Sequence, residues 1–272
     1  MPVMLRPLTL GELLDRAFQL YRSRFGVFVG IAAVAYLPLF VAQTLLLWLP
    51  KASSQLAPAA IVGFLVALVL QWLGIAAAHA ATIVVVSAAY LERPISLQEA
   101  YGRVSGMLVR IFFIMIVSGL GIVLGTLLLI VPGVILFLMW ALAIPVAVLE
   151  DAGLGDSLSR SRFLTEGHRL RVVAIYLLYF ALVSALELAL MGPLGVLIAL
   201  KSGGSGHTPP AALSVMLQIA GYVIQCLVTP VLTICLSLLY YDERVRKEAF
   251  DIQLMMSAMG EAQAGAAAAG AS

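Results

Sequence analysis

The chain has 272 residues, of which 62% are apolar and only 11% are charged, and its mean hydropathy is +1.07. A water-soluble domain of this length needs a charged surface, which normally takes about a quarter of its residues. The composition therefore excludes an ordinary soluble protein and predicts that lipid surrounds much of the chain. The net charge of +2 is too small to indicate nucleic-acid binding.

Six apolar segments approach or exceed the roughly 20 residues that a helix needs to cross about 30 Å of hydrocarbon. They lie at about 25–49, 60–90, 109–131, 134–149, 170–191 and 211–240. Since no segment shows the short polar alternation of a β-barrel strand, we expect an all-α bundle of six spans. Pro132-Gly133 is predicted to turn the third span into the fourth. Pro38, Pro145 and Pro230 are predicted to kink the spans that contain them.

Basic residues indicate the orientation of the spans. Fourteen of the 16 precede the first span or follow the second, fourth or sixth span, and only Lys51 and Lys201 fall elsewhere. The side of a membrane protein that is rich in arginine and lysine normally faces the cytoplasm. We therefore expect a multi-pass protein whose two termini are both cytoplasmic.

A short motif of leucine, acid and arginine occurs three times, each time before a pair of spans. Its copies are Leu10/Glu12/Arg16, Leu97/Glu99/Arg103 and Leu154/Asp156/Arg160. The acid and the arginine are four residues apart, so they can pair on one face of a helix. Thr9 and Ser96 each stand three residues before a glutamate, which is the pattern of a capping box. We predict amphipathic helices along the cytoplasmic interface at about 9–24, 96–108 and 154–168, and thus three repeated units.

The segment after the last span carries oppositely charged residues four apart beside an apolar stripe. This pattern predicts a further amphipathic helix over 242–259. Residues 260–272 are rich in Ala and Gly and are expected to be disordered, so 1–259 form a single membrane domain. Cys226 and Cys235 are separated by about 13 Å of helix, which is too far for a disulfide.

Two ionisable residues fall inside predicted spans, where charge is costly and commonly marks a functional site. His79 lies near the middle of the second span and Glu187 toward the outer end of the fifth. They could form a proton relay or line a substrate path together with Gln71. Alternatively, His79 stays neutral and bonds a neighbouring helix, Glu187 reaches the outer interface, and Gln71 links helices.

Cytoplasmic arginines form a second group of candidates, because basic side chains near a membrane surface attract anionic lipid headgroups. These are Arg16, Arg22, Arg24, Arg103, Arg160 and Arg162. Topology determination explains the same charges without any lipid site. The glycine pairs Gly26/Gly30 and Gly121/Gly125 have a spacing that favours close helix packing, within one molecule rather than in a dimer.

Four segments resemble, in order, the bacterial glycerophosphoryl diester phosphodiesterase membrane-domain family and related polytopic membrane proteins. They are LRPLTLGELLDRAFQLYRSRF, VPGVILFLMWALAIPVAVLED, SLSRSRFLTEGHRLR and LLYYDERVRKEAFDIQL. The resemblance implies a bacterial cytoplasmic-membrane protein. The soluble phosphodiesterase domain that gives the family its name uses a His-Arg-Gly motif, whereas His168-Arg169 is followed here by Leu170. That activity is therefore not expected.

The sequence contains no phosphate loop, nucleophile elbow, metal motif or cofactor fingerprint. We therefore expect a non-enzymatic membrane protein that serves as a structural, lipid-associated or partner-binding module. Its expected partners are the lipid bilayer, a second copy of the chain or another membrane protein. The alternatives are a small transporter with a polar path through the bundle and an accessory to glycerophosphodiester or phospholipid metabolism.

Overall fold

The computed structural model describes residues 7–48, 57–90, 93, 95–201 and 211–248. The described residues are 90% helical and contain no strand. In chain order the helices are α1 Leu10–Ser23, α2 Phe25–Trp48, α3 Ala57–Tyr90, α4 Leu97–Val104, α5 Leu108–Leu128, α6 Ile130–Met139, α7 Ala143–Leu149, α8 Leu154–Thr165, α9 Arg169–Lys201 and α10 Ala211–Glu248.

Six helical segments of the described chain are long and apolar enough to cross a membrane. They are α2, α3, α5, α6 together with α7, α9 and α10. The prediction of an all-α, multi-pass protein is thus confirmed. Residues 249–272, which hold the predicted tail and most of the predicted C-terminal helix, lie outside the described part.

Local sequence explains where the shorter helices begin. Thr9 forms the complete capping box before α1, in which its hydroxyl accepts the Glu12 N–H while the Glu12 carboxylate accepts the Thr9 N–H. Ser96 accepts the Glu99 N–H at 3.2 Å. These bonds satisfy N–H groups that the first turn of a helix leaves without partners. No described side chain caps α8, which begins after Gly153.

The best-packed part of the bundle is one end, which we call the basic end because it carries Arg24, Arg93, Arg110, Arg171 and Arg246. The second half of α3 and the second half of α10 form its centre, where α1, α4, α7 and α8 cover them. Fully buried residues there include Leu13, Ile83, Ile234 and Tyr240. We call the opposite end the far end.

The turn between α5 and α6 lies at Leu129, with extended φ −160° and ψ 141°, and not at Pro132-Gly133. Pro132 occupies the first turn of α6, where a missing N–H costs no helical hydrogen bond. Gly133 is needed where α5 and α6 touch, because a Cβ there would overlap Thr126. The ring of Trp140 packs on Gly121 in the same way, so the Gly121/Gly125 pair serves packing within the molecule.

The predicted fourth span is broken into α6 and α7 at residues 140–142. Pro145 explains the break, since a proline ring collides with the carbonyl four residues earlier, here that of Ala141. The hydroxyl of Ser161, on α8, donates to the Met139 carbonyl at 2.7 Å and accepts the Leu142 N–H at 3.1 Å. Helix α8 thus supplies the hydrogen bonds that the break removes.

The last predicted span and the start of the predicted C-terminal helix are one continuous helix, α10, which runs to Glu248. Its predicted Asp242–Arg246 and Arg244–Glu248 pairs form at 2.8 Å and 3.1 Å. Lys247, which stands four residues after Glu243, instead donates to the carbonyl oxygens of Phe163 and Glu166 at the end of α8. The helix continues without a break because its charged turn packs among α1, α8 and α9 rather than lying apart from the bundle.

Candidate functional site

A cavity of about 500 Å³ lies between α2, α3, α9 and α10. Its polar lining consists of Tyr36, Gln43, Gln71, Glu187, Gln218, Tyr222 and Gln225. Apolar side chains such as Phe40, Ile75 and Met191 complete the wall. This volume and this mixture of many apolar and a few polar groups are typical of small-molecule sites.

Gln71 is the polar group of the cavity that most clearly lacks a partner. Its side chain is only 4% exposed, and neither Oε1 nor Nε2 has a hydrogen-bond partner among the described residues. Leaving such a group unpaired costs about 1–3 kcal/mol. The described residues therefore do not show the expected hydrogen bond from Gln71 to another helix, and both of its polar atoms are enclosed at the wall of the cavity.

Hydrogen bonds between α2 and α10 hold the two tyrosines in place. The Tyr36 hydroxyl lies 3.1 Å from Thr229 Oγ1, and the Tyr222 hydroxyl donates to the Ala33 carbonyl at 2.8 Å. The Tyr222 ring packs against that of Phe40 with centroids 4.8 Å apart and the ring planes tilted by 36°. Since these contacts fix the rings, this side of the cavity is preorganised.

Two further glutamines are oriented by threonine hydroxyls. Thr44 donates to Gln218 Oε1 at 3.0 Å, and Thr229 donates to Gln225 Oε1 at 3.3 Å. Because the amide oxygens are engaged, the NH₂ groups are the ends that a bound molecule can use. The cavity can therefore donate hydrogen bonds as well as accept them.

Among the described residues that line the cavity, Glu187 contributes the only carboxyl group, and none is Lys, Arg or His. The Glu187 side chain is exposed, as its expected position toward the outer interface also allows. It comes from α9, whereas Gln71 comes from α3. The structure thus brings two of the three predicted intramembrane residues, Gln71 and Glu187, to one cavity. A carboxylate without a basic neighbour gives that cavity a negative character.

His79 lies elsewhere, in a much smaller gap of about 10 Å³ that shares Tyr36 and Ile75 with the cavity. This gap holds about one water molecule at most. His79 Nδ1 is 3.1 Å from Thr233 Oγ1, with the direction of donation set by the imidazole tautomer. His79 and Glu187 therefore do not line one space, and His79 has the bond to a neighbouring helix that was one of its two expected roles.

Toward the basic end, two consecutive carboxylates of α10 are fully enclosed. The side chains of Asp242 and Glu243 are 0% and 1% exposed, and Arg171 Nη1 lies 2.5 Å and 2.7 Å from them. Asp242 also accepts the Leu8 N–H. His168 Nδ1 stands 2.8 Å from the second Glu243 oxygen, a contact that becomes a hydrogen bond when Nδ1 carries the proton.

A second ionic group joins α8 to the last turn of α10. Arg160 pairs with Glu150 at 3.1 Å and also with Glu248, not with Asp156, its expected partner, in the described part of the chain. Its hydrogen bond to Glu248 is the first cause of a pKa raised above the ordinary arginine value. Tyr240 donates to Glu150 at 2.8 Å. These contacts close the basic end with paired charges.

The six arginines proposed as lipid contacts divide into two classes. Arg160 and Arg103 are held by carboxylates, and Arg16 lies beside Tyr90. Arg24 donates to the Arg93 carbonyl at 3.0 Å. Arg22, Arg103 and Arg162 are exposed, and of these three Arg103 is paired with Glu99.

Sequence reasoning did not single out Tyr36, Gln43 or Tyr222 as site residues. A signal for them exists, because residues 36, 40 and 43 on α2 and residues 218, 222 and 225 on α10 share the same i, i+4, i+7 spacing. That spacing places each set on one helix face. Two polar faces on otherwise apolar helices indicate that the faces meet, as the cavity shows.

Neither a family model nor a curated protein nor a solved structure matches the chain. Among the described residues, no group of three or more His, Cys, Asp or Glu side chains is placed to hold a metal ion.

Proposed function

We propose that this chain is a non-enzymatic membrane protein that binds a small polar solute in the cavity and carries it across the membrane. One observation supports this most directly: Gln71, which lines a roomy cavity among membrane-spanning helices, has two buried polar atoms without a partner among the described residues. Buried polar groups nearly always have partners. A group that lacks a protein partner is explained by a solute or water that supplies one.

The proposed path is open at one end and closed at the other, which is the arrangement expected of one state of an alternating-access transporter. The cavity lies in the far half, while the narrow gap at His79 and the ion pairs of the basic end close the other half. Pro38 and Pro230 interrupt hydrogen bonding inside α2 and α10, the helices that supply most of the lining. Prolines in membrane helices are sites where a bend can change.

We further propose that the basic end faces the cytoplasm of a bacterium and that both termini lie there. The segregation of arginine and lysine supports this orientation. In this arrangement α1, α4 and α8 are amphipathic helices of the cytoplasmic side that open three repeated units. The capped starts of α1 and α4 and the recurring leucine, acid and arginine support the repeat. Membership of the phosphodiesterase membrane-domain family is proposed from the four ordered segments alone.

Filling the cavity tests the proposed function. Gly221 lines it, whereas a side chain at Gly119 on α5 would meet nothing within 4 Å. In a strain with a measurable deletion phenotype, Gly221→Trp is expected to abolish complementation and Gly119→Trp to preserve it, at equal amounts of folded protein. Full complementation by Gly221→Trp would contradict a solute path through the cavity.

A structural or lipid-associated module is the second candidate. The ionic network at the basic end supports it, because it locks α8, α9 and α10 together, and exposed Arg22 and Arg162 can meet headgroups. A module of this kind tolerates a filled cavity but not the loss of these arginines. If the protein is such a module, the double variant Arg22→Gln/Arg162→Gln is expected to abolish complementation, whereas Gly221→Trp is expected to preserve it.

A further inference from the structure

Glu187 lies farther along the sequence from any other charged residue than does any other Asp or Glu of the chain. Its nearest charged neighbours in the sequence are Arg171 and Lys201, which are about 24 Å and 21 Å away along a helix. No basic residue is among the described residues that line the cavity, and the Glu187 side chain is exposed there. A carboxyl group at the wall of a cavity among membrane-spanning helices favours a positively charged partner, and the described lining residues do not provide one.

We propose that the transported solute is a small organic cation and that Glu187 is its counter-ion. This inference rests on the proposed function and names its substrate class. A cationic solute supplies the missing charge, whereas an anionic solute would be repelled by the same carboxylate. The negative charge of Glu187 thus favours a ligand that carries a positive charge.

The rest of the wall distinguishes an organic cation from a metal ion. Ca²⁺ and Mg²⁺ take six or more oxygen ligands in a compact shell, but most of this wall is apolar. Aromatic rings favour alkylammonium groups, which they attract through their faces. The fixed rings of Tyr36, Phe40 and Tyr222 line the cavity together with Glu187, so apolar and charged parts of one molecule both find contacts.

The test measures binding to the full-length protein in lipid nanodiscs by calorimetry. The probes are choline, its uncharged isostere 3,3-dimethylbutan-1-ol and the anionic analogue 3,3-dimethylbutanoate, which have similar shapes and different charges. Choline is expected to bind at least tenfold more tightly than either of the other two probes. Glu187→Gln should weaken choline binding at least tenfold, Glu187→Asp should retain most of it, and the matched change at exposed Glu166, Glu166→Gln, should have no effect.

The results separate the solute class from the proposed function. The cation assignment is overturned if choline does not bind, or if it binds no more tightly than 3,3-dimethylbutan-1-ol. It is also overturned if Glu187→Gln leaves the affinity for choline unchanged. In that case the cavity still stands as the site if Gln71→Leu weakens binding of the uncharged or anionic probe. If neither Gln71→Leu nor Gly221→Trp weakens the binding of any probe, the cavity is not a binding site and both proposals fail. Unchanged elution and unfolding midpoint establish that each variant is folded.

Discussion

Removing Arg171 is expected to destabilise the protein strongly. This arginine is 16% exposed and contacts two carboxylates that are almost fully enclosed, besides donating to the Leu8 carbonyl at 3.1 Å. In Arg171→Leu, Asp242 keeps Arg246 and the Leu8 N–H. Glu243 keeps only the contact with His168. The variant therefore leaves a buried carboxylate without a permanent positive partner.

The expected cost follows from that uncompensated charge. Breaking a buried ion pair by removing one partner typically costs about 3–5 kcal/mol, and the retained bonds of Asp242 place this case near 3 kcal/mol. Arg103 is the matched control, because its pair with Glu99 is 54% and 48% exposed. Exposed pairs contribute about 1 kcal/mol or less, so Arg103→Leu should be nearly neutral.

Unfolding in mixed micelles with increasing dodecyl sulfate measures both free energies under the same conditions. Combining Arg171→Leu with Glu243→Leu should recover part of the loss, because removing both partners of a buried pair is often close to neutral. Equal losses for Arg171→Leu and Arg103→Leu would refute the reasoning. So would a double variant that is less stable than Arg171→Leu alone.

Four other predictions follow from single contacts. Ser161→Ala should cost about 1–3 kcal/mol of unfolding free energy, because it leaves the Leu142 N–H unpaired, while exposed Ser159→Ala serves as control; equal effects would contradict the bridging role. Gly133→Ala should lower the unfolding midpoint far more than Gly119→Ala, since only the former overlaps Thr126. Cysteines at Ser54 and Ser205 should react with an impermeant maleimide from outside, whereas cysteines at Ser96 and Ser159 should not, in a chain without Cys226 and Cys235. His79→Gln should keep complementation, because the amide can bond Thr233; loss at normal expression would give His79 a role in transport.

The sequence was sufficient for the helical class because hydrophobic length determines which segments can cross a membrane. It was also sufficient for the start of α1, since a capping box depends only on residues three apart, Thr9 and Glu12. The break in the fourth span was harder to predict. Pro145 indicated a disturbance, but the bonds that make the break tolerable come from Ser161, 16 residues later, and only the folded chain brings them together.

Charged partners show the same limit. The spacing rule paired Arg160 with Asp156, yet Arg160 reaches Glu150 and Glu248 instead. A pair within one exposed helix contributes only about 0.2–0.5 kcal/mol, so packing of α8 against α10 easily decides which carboxylate the arginine meets. Local spacing is therefore a reliable guide to exposed pairs such as Glu99–Arg103 and a poor one to pairs between elements.

The contrast between the two ends of the bundle supports placing function in the cavity. At the basic end, enclosed carboxylates such as Asp242 and Glu150 each meet an arginine, so their charges are explained by the fold alone. In the far half, Gln71 has no partner among the described residues, and none of the described residues that line the cavity with Glu187 is basic. Packing does not explain Gln71, since an apolar residue at this buried position would avoid the cost of two unpaired polar atoms. Single buried atoms of Arg110, Arg169, His168 and Glu243 at the basic end also lack a hydrogen-bond partner. Gln71 is the one side chain of the described residues in which both polar atoms do, which is consistent with a molecule that bonds them only while it is bound.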